Sequence, residues 1–89
     1  MLRISMSKAA DGGVMLQLDG QVAGLWVNLL QGVCDEHLQE SSRVILDLGN
    51  VCFADRKGIE LLRSLADRRV EFRNASPFIV EQMRKETRE

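Results

Sequence analysis

Few side chains in this sequence are able to do chemistry, and their spacing limits what they can do. His37 is the sole histidine, and the two cysteines are Cys34 and Cys52. On a helix, Cys34 and His37 would share a face, being three residues apart. Two ligands do not make a zinc site, because structural zinc takes four, in clustered Cys and His pairs that this chain lacks. Both cysteines read as small buried thiols in a reducing compartment, and an enzyme built on either is the weakest functional reading. His37 falls on an apolar stripe, the place of a core or boundary residue rather than a general base. No Gly-x-x-x-x-Gly-Lys-Ser/Thr loop or Gly-x-Gly-x-x-Gly turn is present to cradle a nucleotide, and Lys57-Gly58 lacks the preceding glycines. Asp47 and Asp55 could act as paired carboxylates only if the fold brought them to one site. These residues predict a protein that is not an enzyme and holds no metal or cofactor.

The elements that position these residues follow from hydropathy. Leu2, Ile4 and Met6 alternate with polar neighbours, Val14, Leu16 and Leu18 alternate against Met15, Gln17 and Asp19, and Asp11-Gly12-Gly13 lies between the two runs; this predicts an antiparallel hairpin. Val22, Leu25, Trp26, Leu29, Leu30, Val33, Cys34 and His37 recur at helical spacing, predicting an amphipathic helix over about 21–39, ahead of Ser41-Ser42, with Trp26 buried against the sheet. In the same reading Gly24, Asn28 and Gly32 form a second row of small residues along that helix. Val44-Ile45-Leu46-Asp47-Leu48 reads as a central strand covered on both faces, broken at Gly49-Asn50 before Val51-Cys52-Phe53-Ala54 returns to the core. A second helix is expected over about 58–67, with Ile59, Leu62, Leu65 and Ala66 on its stripe. Val70 and Phe72 suggest a short edge strand. Ser76-Pro77 opens a last helix, serine as cap and proline at the first position, with Ile79, Val80 and Met83 buried and the end from Lys85 fraying. The order β-β-α-β-α-β-α predicts an α/β fold: a single compact domain, residues 1–89, with a four-stranded mixed sheet and three helices.

Composition narrows the function classes. At 45% hydrophobic and 28% charged residues, the chain matches an ordinary globular domain. No apolar run is long enough to cross a bilayer, and the N-terminus lacks the basic-then-apolar layout of a signal peptide, so the expected compartment is the cytoplasm. The net charge of −1 argues against nucleic-acid binding, which favours a basic excess. Charge is nevertheless polarised: residues 1–55 carry −4 and residues 56–89 carry +3. Two differently solvated faces would give this pattern, and so would a molecule that docks a partner.

The segment Asp47-Leu48-Gly49-Asn50-Val51-Cys52-Phe53-Ala54-Asp55-Arg56-Lys57-Gly58 leads from the buried strand to the second helix. With the hairpin, Asp19-Gly20, the Val44-Ile45-Leu46-Asp47-Leu48 strand, the Phe53-Ala54-Asp55-x-x-Gly58 turn and Ala75-Ser76-Pro77, nearly the whole chain resembles a STAS domain, the fold of bacterial anti-sigma-factor antagonists. That resemblance implies a STAS-like protein-interaction module in signalling and transcription regulation. Its partner would be a kinase-like anti-sigma factor or a transporter subunit. Signalling members of the family read Asp-Ser-Ser-Gly at this turn and are phosphorylated on the serine before the glycine. Here Asp55 and Gly58 match, but Arg56 and Lys57 occupy the serine positions, so the resemblance implies no phospho-acceptor. Asp55, Arg56, Lys57, Gly58 and Ile59 are the candidate partner-binding residues. Arg56 and Lys57 read either as drift at a surface turn or as a constitutive basic contact for an acidic partner. A small nucleotide- or anion-binding regulatory domain is the alternative, since Arg56-Lys57-Gly58 sets cations and amides at a helix end. The sequence leaves the oligomeric state open.

Overall fold

The computed structural model describes residues 1–10, 12–40 and 43–86. Its elements run Leu2–Lys8 (β1), Val14–Val22 (β2), Leu25–Glu40 (α1), Val44–Ala54 (β3), Arg56–Asp67 (α2), Glu71–Arg73 (β4) and Pro77–Glu86 (α3). The expected element order and α/β class are therefore those of the structure. Asp11 of the hairpin turn, Ser41-Ser42 and the tail from residue 87 lie outside the described residues.

The sheet has the order β1-β2-β3-β4. β1 and β2 pair antiparallel, Leu2 opposite Gly20 and Lys8 opposite Val14, while β2–β3 and β3–β4 are parallel. The crossovers through α1 and α2 advance across the sheet in the same direction. With the right hand that such connections take, both helices land on one face. An ion pair between Asp35 of α1 and Arg68 at the end of α2 ties them together. Leu16, Leu18, Leu46 and Leu48 form the sheet's contribution to the core beneath these helices, and Leu62, Leu65 and Ile79 close it from above. The Cα radius of gyration, 12.1 Å, is that of one compact unit of this length, ~12 Å.

This two-layer arrangement corrects several expectations. Helices lie over only one face of β3. Ile45 stands outside the helix-side core and is flanked in register by Met15 and Glu71 on the opposite face, where it is nevertheless buried. Nor is β3 broken at Gly49-Asn50. It runs through them as one strand and absorbs the irregularity in two register shifts against β2, the signature of β-bulges. The Gly49 amide, donating to Asp47 Oδ1 at 2.9 Å, finds its partner locally at the first of these.

The first helix starts at Leu25 rather than near residue 21. Gly20, Gln21 and Val22 instead extend β2, pairing with Val51, Phe53 and Ala54. Val22 fits helical spacing on paper, but the adjacent strand claims its backbone groups. Gly24 lies outside the helix at φ +61°, a left-handed conformation that glycine adopts without penalty. The buried stripe of α1 is accordingly Val27, Leu30 and Cys34. Trp26 is half-buried, not enclosed, and Leu25 and Leu29 face outward. Similar adjustments apply further on. α2 begins at Arg56 and adds Leu61 to its buried side, with Ala66 exposed. α3 buries Ile79 and half-buries Met83, leaves Val80 open, and continues to Glu86 past the expected fraying point. Ser76 does cap α3, its Oγ accepting from the Ile79 amide at 3.2 Å.

The rotated face of α1 is testable by a pair of substitutions. Leu30 is fully buried, so Leu30→Ala should destabilise the fold by about 2–5 kcal/mol through lost burial and a cavity. Leu25→Ala, at a side chain 85% exposed, should stay within about 0.5 kcal/mol of the parent. Urea denaturation of both variants distinguishes this face from the one that hydropathy alone suggests.

Candidate functional site

The turn leaving β3 is organised by one carboxylate. Asp55 has extended backbone angles, φ −82° and ψ −176°, and is the N-cap of α2. Its Oδ1 accepts from the Gly58 amide at 2.7 Å, the bond by which an N-cap aspartate satisfies a helix amide that has no partner within the helix. Its Oδ2 accepts from the Gly24 amide at 3.0 Å, across 31 residues of sequence. The Asp55 amide donates to the Val22 carbonyl at 3.2 Å, and its own carbonyl accepts from Ile59 at 2.9 Å. The loop that enters α1 and the turn that enters α2 are thereby fastened to each other. These amide bonds, Gly24 first and Gly58 second, hold the Asp55 carboxyl below the usual carboxylate range.

Gly58 supplies the close approach this fastening requires. A Cβ at that position would overlap the Val22 carbonyl oxygen and crowd Val22 Cγ1, so the start of α2 rests directly on the end of β2. Ile59, expected to contact a partner, is instead 2% exposed and part of the core; it supports the turn from beneath. Gly58 is likewise buried and Asp55 half-buried. Of the five candidate residues, Arg56 and Lys57 are the ones that project into solvent.

Arg56 and Lys57 are the first two helical residues of α2. This location, the positive end of the helix dipole, disfavours cations by about 0.3–1 kcal/mol each. Arg56 reaches Glu60 at 3.6 Å, with the arginine side chain 79% exposed; such a surface i,i+4 pair offsets only about 0.3–0.5 kcal/mol.

The other chemistry-bearing residues do not converge on the turn. The Asp47 carboxylate has its own partners, the Gly49 amide and Asn74 Nδ2 at 3.1 Å, and shares none with Asp55. Cys34 is fully buried, and burial first, with Asp35 adding to it, pushes its thiol up to about 12. That removes the thiolate a nucleophile would need. Cys52, expected in the core, is exposed and donates weakly to the Gly20 carbonyl at 3.4 Å. Among the described residues no three His, Cys, Asp or Glu side chains gather as metal ligands. Sequence reasoning missed Gly24, which helical spacing places in a row along α1 and whose amide leaves no mark in the sequence. The signal that the sequence does carry is Asp55-x-x-Gly58, the spacing at which an aspartate caps the third helical amide.

Two expectations follow for stability. Asp55→Ala should cost about 1 kcal/mol for the lost cap and more for the lost Gly24 bond. Asp55→Asn can still cap Gly58 but turns its amide nitrogen, a donor, toward the Gly24 amide, and so should be less stable than the parent at neutral pH. Because the folded carboxyl titrates below its unfolded counterpart, Asp55 stabilises fully above about pH 4 and loses that contribution as pH falls through the folded value. Thermal melts in acid should therefore fall less steeply for Asp55→Asn than for the parent. At Gly58, alanine should destabilise by about 1–3 kcal/mol, since overpacking here meets backbone that cannot yield.

No protein-family model matches the chain, and neither does any curated protein sequence. Solved structures do. The anti-sigma factor antagonist SpoIIAA in its unphosphorylated form superposes with a TM-score of 0.70 at 16% identity, covering 89% of this chain and 79% of that one. An anti-sigma-factor antagonist STAS domain from Rhodobacter sphaeroides gives 0.63 at 18% identity, covering 83% and 87% respectively. Element order, mixed sheet and helix placement agree with these neighbours across most of both chains, and the chain has the fold of a STAS domain.

Proposed function

We propose that this chain is a non-catalytic protein-interaction module of the anti-sigma-factor-antagonist type, working in bacterial signalling and transcription regulation in the cytoplasm. Its contact is constitutive, not switched by serine phosphorylation at the 55–58 turn. The observation that carries this reading is the pair Arg56 and Lys57, exposed on a turn held rigidly by Asp55. Both are cations where the helix dipole disfavours them. Residues that break a local rule on an otherwise consistent scaffold are candidates for function. A serine at either position could gain a phosphate and with it about −1.5 to −2 charges. Arginine and lysine hold a fixed positive charge instead, suited to an acidic protein surface. An anti-sigma factor is the partner class that the names of the fold neighbours suggest; the family resemblance of the sequence implies a kinase-like one, and a transporter subunit could use the same surface.

The nucleotide or anion alternative has less support. The Asp55 carboxylate already occupies the Gly58 amide and brings a negative charge to the end where an anion would sit. Among the described residues no helix is long and apolar enough to cross a membrane.

The test is charge reversal. Arg56→Glu with Lys57→Glu should leave the melting temperature unchanged or slightly raised, because acidic groups suit a helix N-terminus. It should weaken capture of the partner by roughly 10-fold or more, chiefly through slower, salt-dependent association. Incubation of the parent with an anti-sigma kinase and ATP should add no phosphate at residues 55–58. Unchanged affinity in the double variant would place the contact elsewhere. A phosphate mapping to Ser41, Ser42, Ser64 or Ser76 would mean that regulation has moved within the chain.

A further inference from the structure

Leu25 and Leu29 form an i,i+4 ridge on the outer side of α1, 85% and 47% exposed. Single exposed leucines are ordinary, but these two line one concavity with Gln21, Gly24 and the half-buried Trp26, about 620 Å³ in volume. This concavity adjoins the cationic turn. Gly24 in its wall donates to Asp55 Oδ2, so Leu25 and Arg56 each stand one residue from a hydrogen-bonded pair. Gln21, also in its wall, is paired in register with Phe53, which is 45% exposed.

We propose that the concavity and the turn form one docking surface, and that its occupant is an acidic amphipathic helix of a partner protein. This deepens the proposed function and rests on it. Apolar anchors at i, i+3, i+4 and i+7 are how a helix fills such a groove, and a leucine ridge at spacing four packs between the ridges of a second helix. Charge complementarity sets the sign of the partner's polar flank. Asp55 is turned inward, both its oxygens accepting from backbone amides, and Arg56 makes a loose pair with Glu60, which an incoming carboxylate can displace. Lys57 is exposed beside it. A lipid surface would call for a cluster of four to eight cations, as polybasic membrane segments have; this turn supplies two.

The probe is a synthetic helical peptide with leucines at i, i+3, i+4 and i+7 and glutamates elsewhere, titrated against the full chain. The expected result is saturable binding that moves Trp26 emission to shorter wavelength and shifts the amide resonances of Gly24, Leu25 and Leu29. Leu25→Ser with Leu29→Ser should weaken it by about 10-fold or more, as removal of central apolar anchors does. Circular dichroism and melting should show that this variant stays folded, since both side chains are exposed. The Arg56→Glu, Lys57→Glu variant should weaken it comparably, and a peptide with lysines in place of glutamates should not bind. Absence of saturable binding overturns the proposal. So does a Trp26 shift produced by phosphatidylglycerol vesicles but not by the peptide. If the serine variant binds as the parent does while charge reversal abolishes binding, the groove is discarded and the cationic turn stands. If neither variant changes binding, both readings fall.

Discussion

The Asp55 carboxylate is the contact on which the arrangement of this domain's working end depends. Its two oxygens accept from the amides of Gly24 and Gly58, which belong to different crossovers. Either crossover alone would leave a loop at the end of a parallel strand, free to vary in its exit angle. Joined through one side chain, each limits the other. The bare Cα of Gly58 against the Val22 carbonyl then removes the remaining gap. A side chain with a single methylene group thus coordinates the entry to two helices, and it does so as an anion, whose bonds to amide donors are stronger than neutral ones.

Rigidity at that end has a consequence for Arg56 and Lys57. A cation on a mobile loop would spread its charge over many positions. Here the backbone beneath the two cations is tied to β2, β3 and the loop before α1 at once. Their local electrostatic cost is small beside the core that supports them, in which Leu62, Leu65 and Ile59 are almost wholly buried. A stable platform can carry a locally unfavourable charge, and the proposed contact draws on that.

The sheet shows the same economy of parts. Its helices lie on one face, so burial alternates clearly along β2, with Leu16 and Leu18 inside and Gln17 exposed, while along β1 it fades after Ile4 and leaves Met6 exposed. β3 blurs the pattern because Ile45 is buried by neighbouring side chains on the face that no crossover helix covers. A hydrophobic run therefore signalled burial correctly but not what does the burying.

Element type and order were legible along the chain because each segment has a strong local pattern: alternation in β1 and, from Leu16 on, in β2, a β-branched run in β3, helical spacing in α1 and α2, and Ser76-Pro77 before α3. The Asp55-x-x-Gly58 motif was also legible, as were the cations between them. What tertiary structure decided were matters in which two distant segments compete for the same residues. Val22 suits a helix by spacing, and only the pairing with Ala54 assigns it to β2. Once α1 begins three residues later, its buried stripe passes to Val27, Leu30 and Cys34, and Leu25 and Leu29 turn outward. Gly24 became a partner of Asp55 for the same reason: a backbone amide carries no sequence signal, and its hydrogen bond spans 31 residues. Local propensity is written in neighbouring residues, whereas register, helix face and the partner of an amide are set by which strands lie side by side.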